Sequence, residues 1–230
     1  MSNIQSKPSL SRHNSSEDYT KLIGMYKDMH KVSDGMFNGR SLLKFVDIIK
    51  AYLEVNNCKS ILDYGCGKGI LYSDNYHLLT NEIDSPLHKH WNLDSYELYD
   101  PGHKEHSKLP IHKKDAVICT DVLEHVAEDD LDWVVDEIFS YAKKIVFLNI
   151  ACFEALKKLE DGRNAHISVF GPDNWLQFLA DKSKNFKHLK IYLFADTVEK
   201  NEKGDKQFMT EGFRIDSYPR IVKLRKEEEC

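Results

Sequence analysis

The chain has no CxxC pair. Its five cysteines, Cys58, Cys66, Cys119, Cys152 and Cys230, are odd in number and scattered, which speaks against a disulfide framework and a structural zinc site alike. It has no apolar run approaching the roughly 20 residues that cross a bilayer, and the opening MSNIQSKPSLSRHNSSED lacks the apolar centre of a signal peptide. It also has no basic excess: 32 Lys and Arg stand against 37 Asp and Glu, a net charge of -5, so nothing global draws it to phosphate backbones or anionic lipid. These absences predict a soluble protein of the reducing cytoplasm, with no membrane partner and nucleic acid disfavoured. The oligomeric state is not written in them.

What is present is enough for one core. At 230 residues and 41% hydrophobic content the chain reads as a single domain with trimmings. Residues 1–18, rich in Ser, Asn and Lys, read as a disordered tail; 19–56 as an N-terminal helical cap; 57–222 as the main domain; and 223–230 as a charged tail. Helices are predicted from Tyr19 to about Val32, after a turn at Ser33-Asp34-Gly35, and again through Leu42, Phe45, Val46, Ile49 and Leu53. Short apolar runs predict strands at Ser60–Tyr64, Ser95–Tyr99, Ala116–Thr120, Ile145–Ile150, Leu189–Phe194 and near Phe213–Tyr218. Between the third and fourth, AEDDLDWVVDEIFSYAKK predicts a helix with acids in its first turn and lysines in its last; another begins at Pro172. Strands alternating with helices predict an α/β, doubly wound, Rossmann-like sheet.

On such a sheet ligands bind beyond the carboxyl ends of the strands. There the chain places ILDYGCGKG, Ile61 to Gly69, in which Asp63 precedes Gly65, Gly67 and Gly69. The spacing differs from the GxGxxG that seats a pyrophosphate on a helix end, and Lys68 is followed by glycine where a phosphate loop needs Ser or Thr. The order DYGCGKG resembles motif I of the class I S-adenosylmethionine-dependent methyltransferases, and DAVICTDVLEH, Asp115 to His125, resembles a later motif of the same superfamily, beneath the transferable methyl group. YDP, ICTDVLEH and GRNAH together resemble a prokaryotic and phage-associated group within it. The resemblance implies a seven-stranded sheet with a last antiparallel strand, the cofactor S-adenosylmethionine with S-adenosylhomocysteine as product, and cofactor contacts at Asp63, Gly65, Gly67, Gly69, Thr120 and Asp121. It also implies an acidic residue on the ribose, for which Asp100 after a clear strand competes with Asp84 of NEIDSP; Glu105, His106 and Leu109 are adenine candidates.

In DVLEH, Asp121, Glu124 and His125 stand at i, i+3 and i+4, one face if the helix has begun. With His166 of GRNAH they form an oxygen and nitrogen donor set for Mn²⁺, Mg²⁺, Fe²⁺ or Zn²⁺. The set resembles the metal site of small-RNA 3′-end 2′-O-methyltransferases, although that family has Glu where Asp121 stands. The same segment also reads without metal: Asp121 as a helix cap, Glu124 as a solvated acid, and His125 packed on the cofactor.

A sulfonium donor is already activated, so positioning the acceptor supplies much of the acceleration. A hydroxyl acceptor must also lose a proton, which asks for His166 or His125, with Glu124 beside them, or for a metal. Arg163 and Asn164 are candidates for binding the acceptor, as are Tyr26 and His30, which with Phe37 are candidates for a lid over cofactor and acceptor. The reading is O-methylation of a small hydroxylated metabolite, such as a sugar or phosphorylated precursor of a surface polysaccharide. A metal-dependent RNA 2′-O-methyltransferase, favoured by the run KSKNFKHLK, and a non-catalytic S-adenosylmethionine-binding protein stand as alternatives.

Overall fold

The computed structural model describes residues 9–32, 35–201, 203–216 and 220–224. Seven strands form one sheet: β1 Ser60–Tyr64, β2 Ser95–Tyr99, β3 Lys114–Thr120, β4 Ala142–Ala151, β5 Lys190–Lys200, β6 Lys206–Asp216 and β7 Arg220–Leu224. Their order is β2-β1-β3-β4-β5-β6-β7. The first five are parallel; β6 runs against β5 and β7 against β6. This is the Rossmann-like α/β sheet that the alternation of strands and helices predicts.

Both faces of the sheet are covered, which explains why its central strands are apolar without alternation. Leu62, Val117, Val146 and Ile191 point to one face and meet helices α1 (Glu17–Val32), α4 (Leu131–Tyr141) and α5 (Pro172–Ser183). Ile61, Ala116, Ile145 and Tyr192 point to the other and meet α2 (Val46–Val55) and the short α3 (Leu87–His90). The two N-terminal helices therefore part company: α1 lies on the face that carries α4, whereas α2 is an ordinary covering helix of the opposite layer. Pro172 opens α5, where its missing N–H costs nothing.

Several boundaries differ from expectation. Helix α4 stops at Tyr141, and Lys143 and Lys144 belong to β4 rather than to a last helical turn. The last strand is a pair: β6 starts at Lys206, and Lys223 and Leu224 of the supposed tail form the end of β7. The N-terminal tail is ordered over residues 9–18. The Arg12 guanidinium lies over the rings of Tyr99 and Trp133, centroids at 5.4 and 5.2 Å, and bonds Glu137 and the Tyr64 hydroxyl. Ser16 bonds Asp130 through its N–H and hydroxyl, and Glu17 and Asp18 already belong to α1. One buried cation between two rings and a carboxylate is enough to hold a segment that has little apolar surface of its own. Residues 1–8 of that tail, Ser33-Asp34, residues 217–219 of the expected last strand, and 225–230 lie outside the described residues. No helix among the described residues is long and apolar enough to cross a membrane.

Candidate functional site

The chain enters the sheet at β1, lays β2 on one side and β3 on the other, and so creates a crevice at the carboxyl ends of these strands. A cavity, open at its mouth, occupies that crevice. Its floor is Asp63 to Gly67, Asp100 to Gly102 and Thr120 to Val122; its roof is Leu22, Tyr26 and His30 of α1 with Phe37. Three carboxylates, Asp63, Asp100 and Asp121, reach it from three adjacent strand ends, and no Lys or Arg stands among the described residues that line it.

The glycine turn explains part of this chemistry, by a route different from the expected one. Gly65 and Gly67 have φ of +87° and +58°. A Cβ on Gly67 would stand 2.1 Å from the Phe37 carbonyl oxygen, and one on Gly65 would stand 2.2 Å from a Val122 methyl. The glycines thus let the roof and the neighbouring loop close on the turn, in addition to any ligand. Every N–H from Gly65 to Gly69 is already spent: Gly65 and Cys66 donate to Tyr99 O, Gly67 to Asp100 Oδ2, Lys68 to Phe37 O and Gly69 to Cys66 O. A turn with no free N–H cannot cradle a phosphate.

Burial pushes the Asp63 carboxyl up to about 7; the Tyr72 hydroxyl works against the rise and Asp100 adds to it. Asp100 follows β2 and accepts from Gly67 N at 2.9 Å and Gly102 N at 2.7 Å, so one lone pair on each oxygen remains. Asp84 does not compete for this cavity. Its side chain is 92% exposed beside His90, on the rim of a different depression. Glu105, His106 and Leu109 do not line the cavity either.

At the far wall Asp121, His125 and His166 each bring one donor atom within 4.8 Å of the others. Asp121 reaches its place through a left-handed backbone, φ +60°, tied by its N–H to Asn149 O; an aspartate tolerates this conformation better than most residues. His125 Nδ1 donates to Ala165 O at 2.7 Å, and His166 Nδ1 donates to Phe153 O at 2.5 Å. With both Nδ1 protons committed to carbonyls, each neutral ring keeps its lone pair on Nε2. Burial lowers the His125 pKa, against the pull of Asp121 and with the push of His166, so the neutral ring is favoured. His125 lines the cavity; His166 lies one ring further out, with centroids 4.9 Å apart.

Glu124 is not part of this group. The chain makes only a 3₁₀ turn at Leu123–His125, so the i, i+3, i+4 face does not form. The Glu124 side chain is fully buried, and its Oε1 accepts from Ala151 N. Its backbone carbonyl accepts from Ile167 and Ser168, which fixes the loop that carries His166. Burial and the nearby Asp121 raise its carboxyl well above the usual range. Arg163 and Asn164 are likewise structural. Arg163 pairs with Asp18 and Asp161; Asn164 bonds both backbone groups of Ala155 and the N–H of His166. Neither lines the cavity. Tyr26 and His30 do, but Tyr26 is tied to the loop, donating to Ala165 O at 2.9 Å.

Phe153 and Phe208 carry no motif. They continue the ring row outward, Phe153 at 5.8 Å from His166 and Phe208 at 5.5 Å from Phe153. Phe208 is 65% exposed on β6, a large apolar residue at a position that a soluble strand normally fills with a polar one. That was the one signal available. In the run KSKNFKHLK, Lys182 pairs with Asp132 and Asp136 and Lys184 with Asp181, whereas Lys190 bonds the neutral amide of Asn56. No protein-family model and no curated protein matches the chain.

Proposed function

We propose that the chain is an S-adenosylmethionine-dependent methyltransferase acting on an oxygen of a small hydroxylated acceptor. The observation that carries this reading is a cavity at the switch point with three carboxylates, no lining cation and no free N–H in its glycine turn. Those features disfavour dinucleotides and nucleoside phosphates and favour a ligand that is itself cationic. A molecule with a sulfonium and an ammonium group, an apolar base and a ribose fits the acids and the Tyr26 and Phe37 walls.

When bound, such a donor supplies an activated methyl group; the chain's own task is placement and proton transfer. Asp63 and Asp121 offset positive charge, and Asp100 accepts from hydroxyls. The acceptor approaches past Phe208 and Phe153 toward His166 and His125, whose Nε2 lone pairs are oriented to take the hydroxyl proton. Asp121, His125 and His166 also fit a divalent ion: one carboxylate and two imidazoles, each imidazole fixed through its other nitrogen by a carbonyl, the usual support of a ligating histidine. The ion would lower the acceptor's pKa. The ion pairs of Lys182 and Lys184 within KSKNFKHLK weaken the case for RNA and favour a small acceptor.

Calorimetry with S-adenosylhomocysteine tests the reading. Wild-type protein should bind it and Asp100→Ala should bind at least about ten-fold more weakly. A folded wild type that binds neither donor nor product overturns it.

A further inference from the structure

His30 comes from the last turn of α1, and its side chain is only 7% exposed. Its ring lies against Phe37, centroids 4.6 Å apart, and His103, 5.0 Å apart. Yet neither nitrogen has a satisfactory partner among the described residues: Nδ1 is buried without one, and Nε2 stands 3.9 Å from Asp100 Oδ1. Burial lowers the ring's pKa although Asp100 works against this. A buried imidazole nitrogen without a partner is costly, and the ring lines the cavity with its Nε2 unbonded beside Asp100.

The gap has a chemical shape. At 3.9 Å the two atoms are too far apart to bond and too close for an oxygen between them in line, but an oxygen off the line would lie about 2.8 Å from both. Asp100 only accepts, so that oxygen must carry a proton to give; it must also accept from an imidazole N–H. A hydroxyl does both. Asp100 has a lone pair left on each of two adjacent oxygens, which matches two neighbouring hydroxyls. Gly102 leaves the wall open there: a Cβ on it would stand 3.1 Å from Asp100 Oδ1 and 3.3 Å from the His30 ring.

We propose that His30 is a binding residue for the donor's ribose, closing from α1 on the vicinal diol that Asp100 holds from the sheet. The inference rests on the methyl-donor reading and narrows His30, whose sequence position suggested a lid over cofactor and acceptor, to the donor. It also gives α1 a function: the roof recognises the ligand rather than merely covering it.

The test is a binding cycle by calorimetry with S-adenosylhomocysteine and its 2′,3′-dideoxy analogue. His30→Phe keeps the ring between Phe37 and His103 but removes both nitrogens; His30→Gln restores an N–H near the Nε2 position. Wild type should prefer the diol ligand, His30→Phe should bind it about ten-fold more weakly while binding the dideoxy ligand unchanged, and His30→Gln should recover much of the loss. Equal weakening of both ligands by His30→Phe, or no weakening, overturns the proposal. If His30→Phe does not fold, His30→Gln decides: a preference for the diol retained within about three-fold supports the proposal, and an unchanged dideoxy affinity with the preference abolished overturns the rescue and with it the donated bond. A folded wild type that binds neither ligand removes the methyl-donor reading itself, an outcome distinct from any variant's behaviour.

Discussion

The Tyr26 hydroxyl and His125 Nδ1 meet on one acceptor, the carbonyl oxygen of Ala165, at 2.9 and 2.7 Å. The roof helix, the turn after β3 and the loop that carries His166 therefore share a single atom. Tyr26→Phe removes one of the two donors without changing the packing. It should cost about 1 kcal/mol, read as a lower melting temperature, and should let the His125 ring sample its other tautomer. Nitrogen chemical shifts of the imidazole report this directly. An unchanged tautomer ratio would mean that His125 holds itself.

Gly67→Ala should be far more damaging than an ordinary turn substitution. The new Cβ would stand 2.1 Å from the Phe37 carbonyl oxygen, a backbone atom, in a residue whose φ is +58°. Either the roof lifts and the Lys68 N–H to Phe37 O bond breaks, or the turn unfolds. A loss of several kcal/mol, with faster proteolysis around residues 35–40, is the expected result of chemical denaturation and limited digestion.

Much of the fold was legible, and the reason is local. β1 and β2 fall on their expected residues because a short apolar run bounded by turn residues leaves little choice of end. The last strand was expected near Phe213, but the first half of β6 and all of β7 were missed because KQFMTEGFRID mixes charge with apolar residues at no clear period. Asp63, Asp100 and Asp121 come together at one cavity because each stands at or just past the end of a strand. Glu124 was misplaced because helical spacing was applied to a segment that makes one 3₁₀ turn. Arg163 and Asn164 were misread because their partners, Asp18 and Ala155, are set by tertiary structure that no local rule encodes.

Asp63 carries a pH dependence of definite sign. Its ordinary value is 3.8 and its folded value is raised to about 7, chiefly by burial. Below about 4 both states are protonated; as pH rises toward about 7 the unfolded chain gives up a proton that the folded chain keeps, so stability falls through this window and levels off above it. Asp63→Asn should therefore differ little from wild type at pH 4 and be more stable at pH 8, by an amount on the order of 4 kcal/mol. Melting curves of both proteins across this range measure it. A cationic ligand beside Asp63 should also expel its proton, so the binding heat near pH 7 should depend on the buffer's ionisation enthalpy.

Arg12 makes the segment before α1 indispensable. Arg12→Ala removes a guanidinium from between Tyr99 and Trp133 and leaves Glu137 and the Tyr64 hydroxyl without their cation. The side chains of Arg12 and Glu137 are mostly buried, 19% and 15% exposed, so solvent screens the pair less than it would a surface pair. A loss of about 2 kcal/mol is expected. Because Tyr99 O holds two N–H groups of the glycine turn, affinity for the proposed methyl donor should fall as well. A truncation that ends before Ser9 tests the complementary point, since residues 9–16 alone make these contacts among the described part of the tail.

The donor group at Asp121, His125 and His166 separates two mechanisms that share the same residues. If it holds a divalent ion, Mn²⁺ titrated into the protein should lose its free electron-spin signal at about one equivalent, and Asp121→Ala and His166→Ala should each weaken binding by ten-fold or more. Glu124→Gln should bind Mn²⁺ as the wild type does, because its carboxyl is buried on Ala151 N and contributes no donor atom to the group. That variant distinguishes the three-residue site from the four-residue set of the sequence motif. If wild type binds no ion, the histidines act as bases alone. Turnover should then rise with pH as His125, whose pKa burial lowers, gives up its proton, and be indifferent to chelators, whereas a metal site should lose its activity to EDTA and regain it with Mn²⁺.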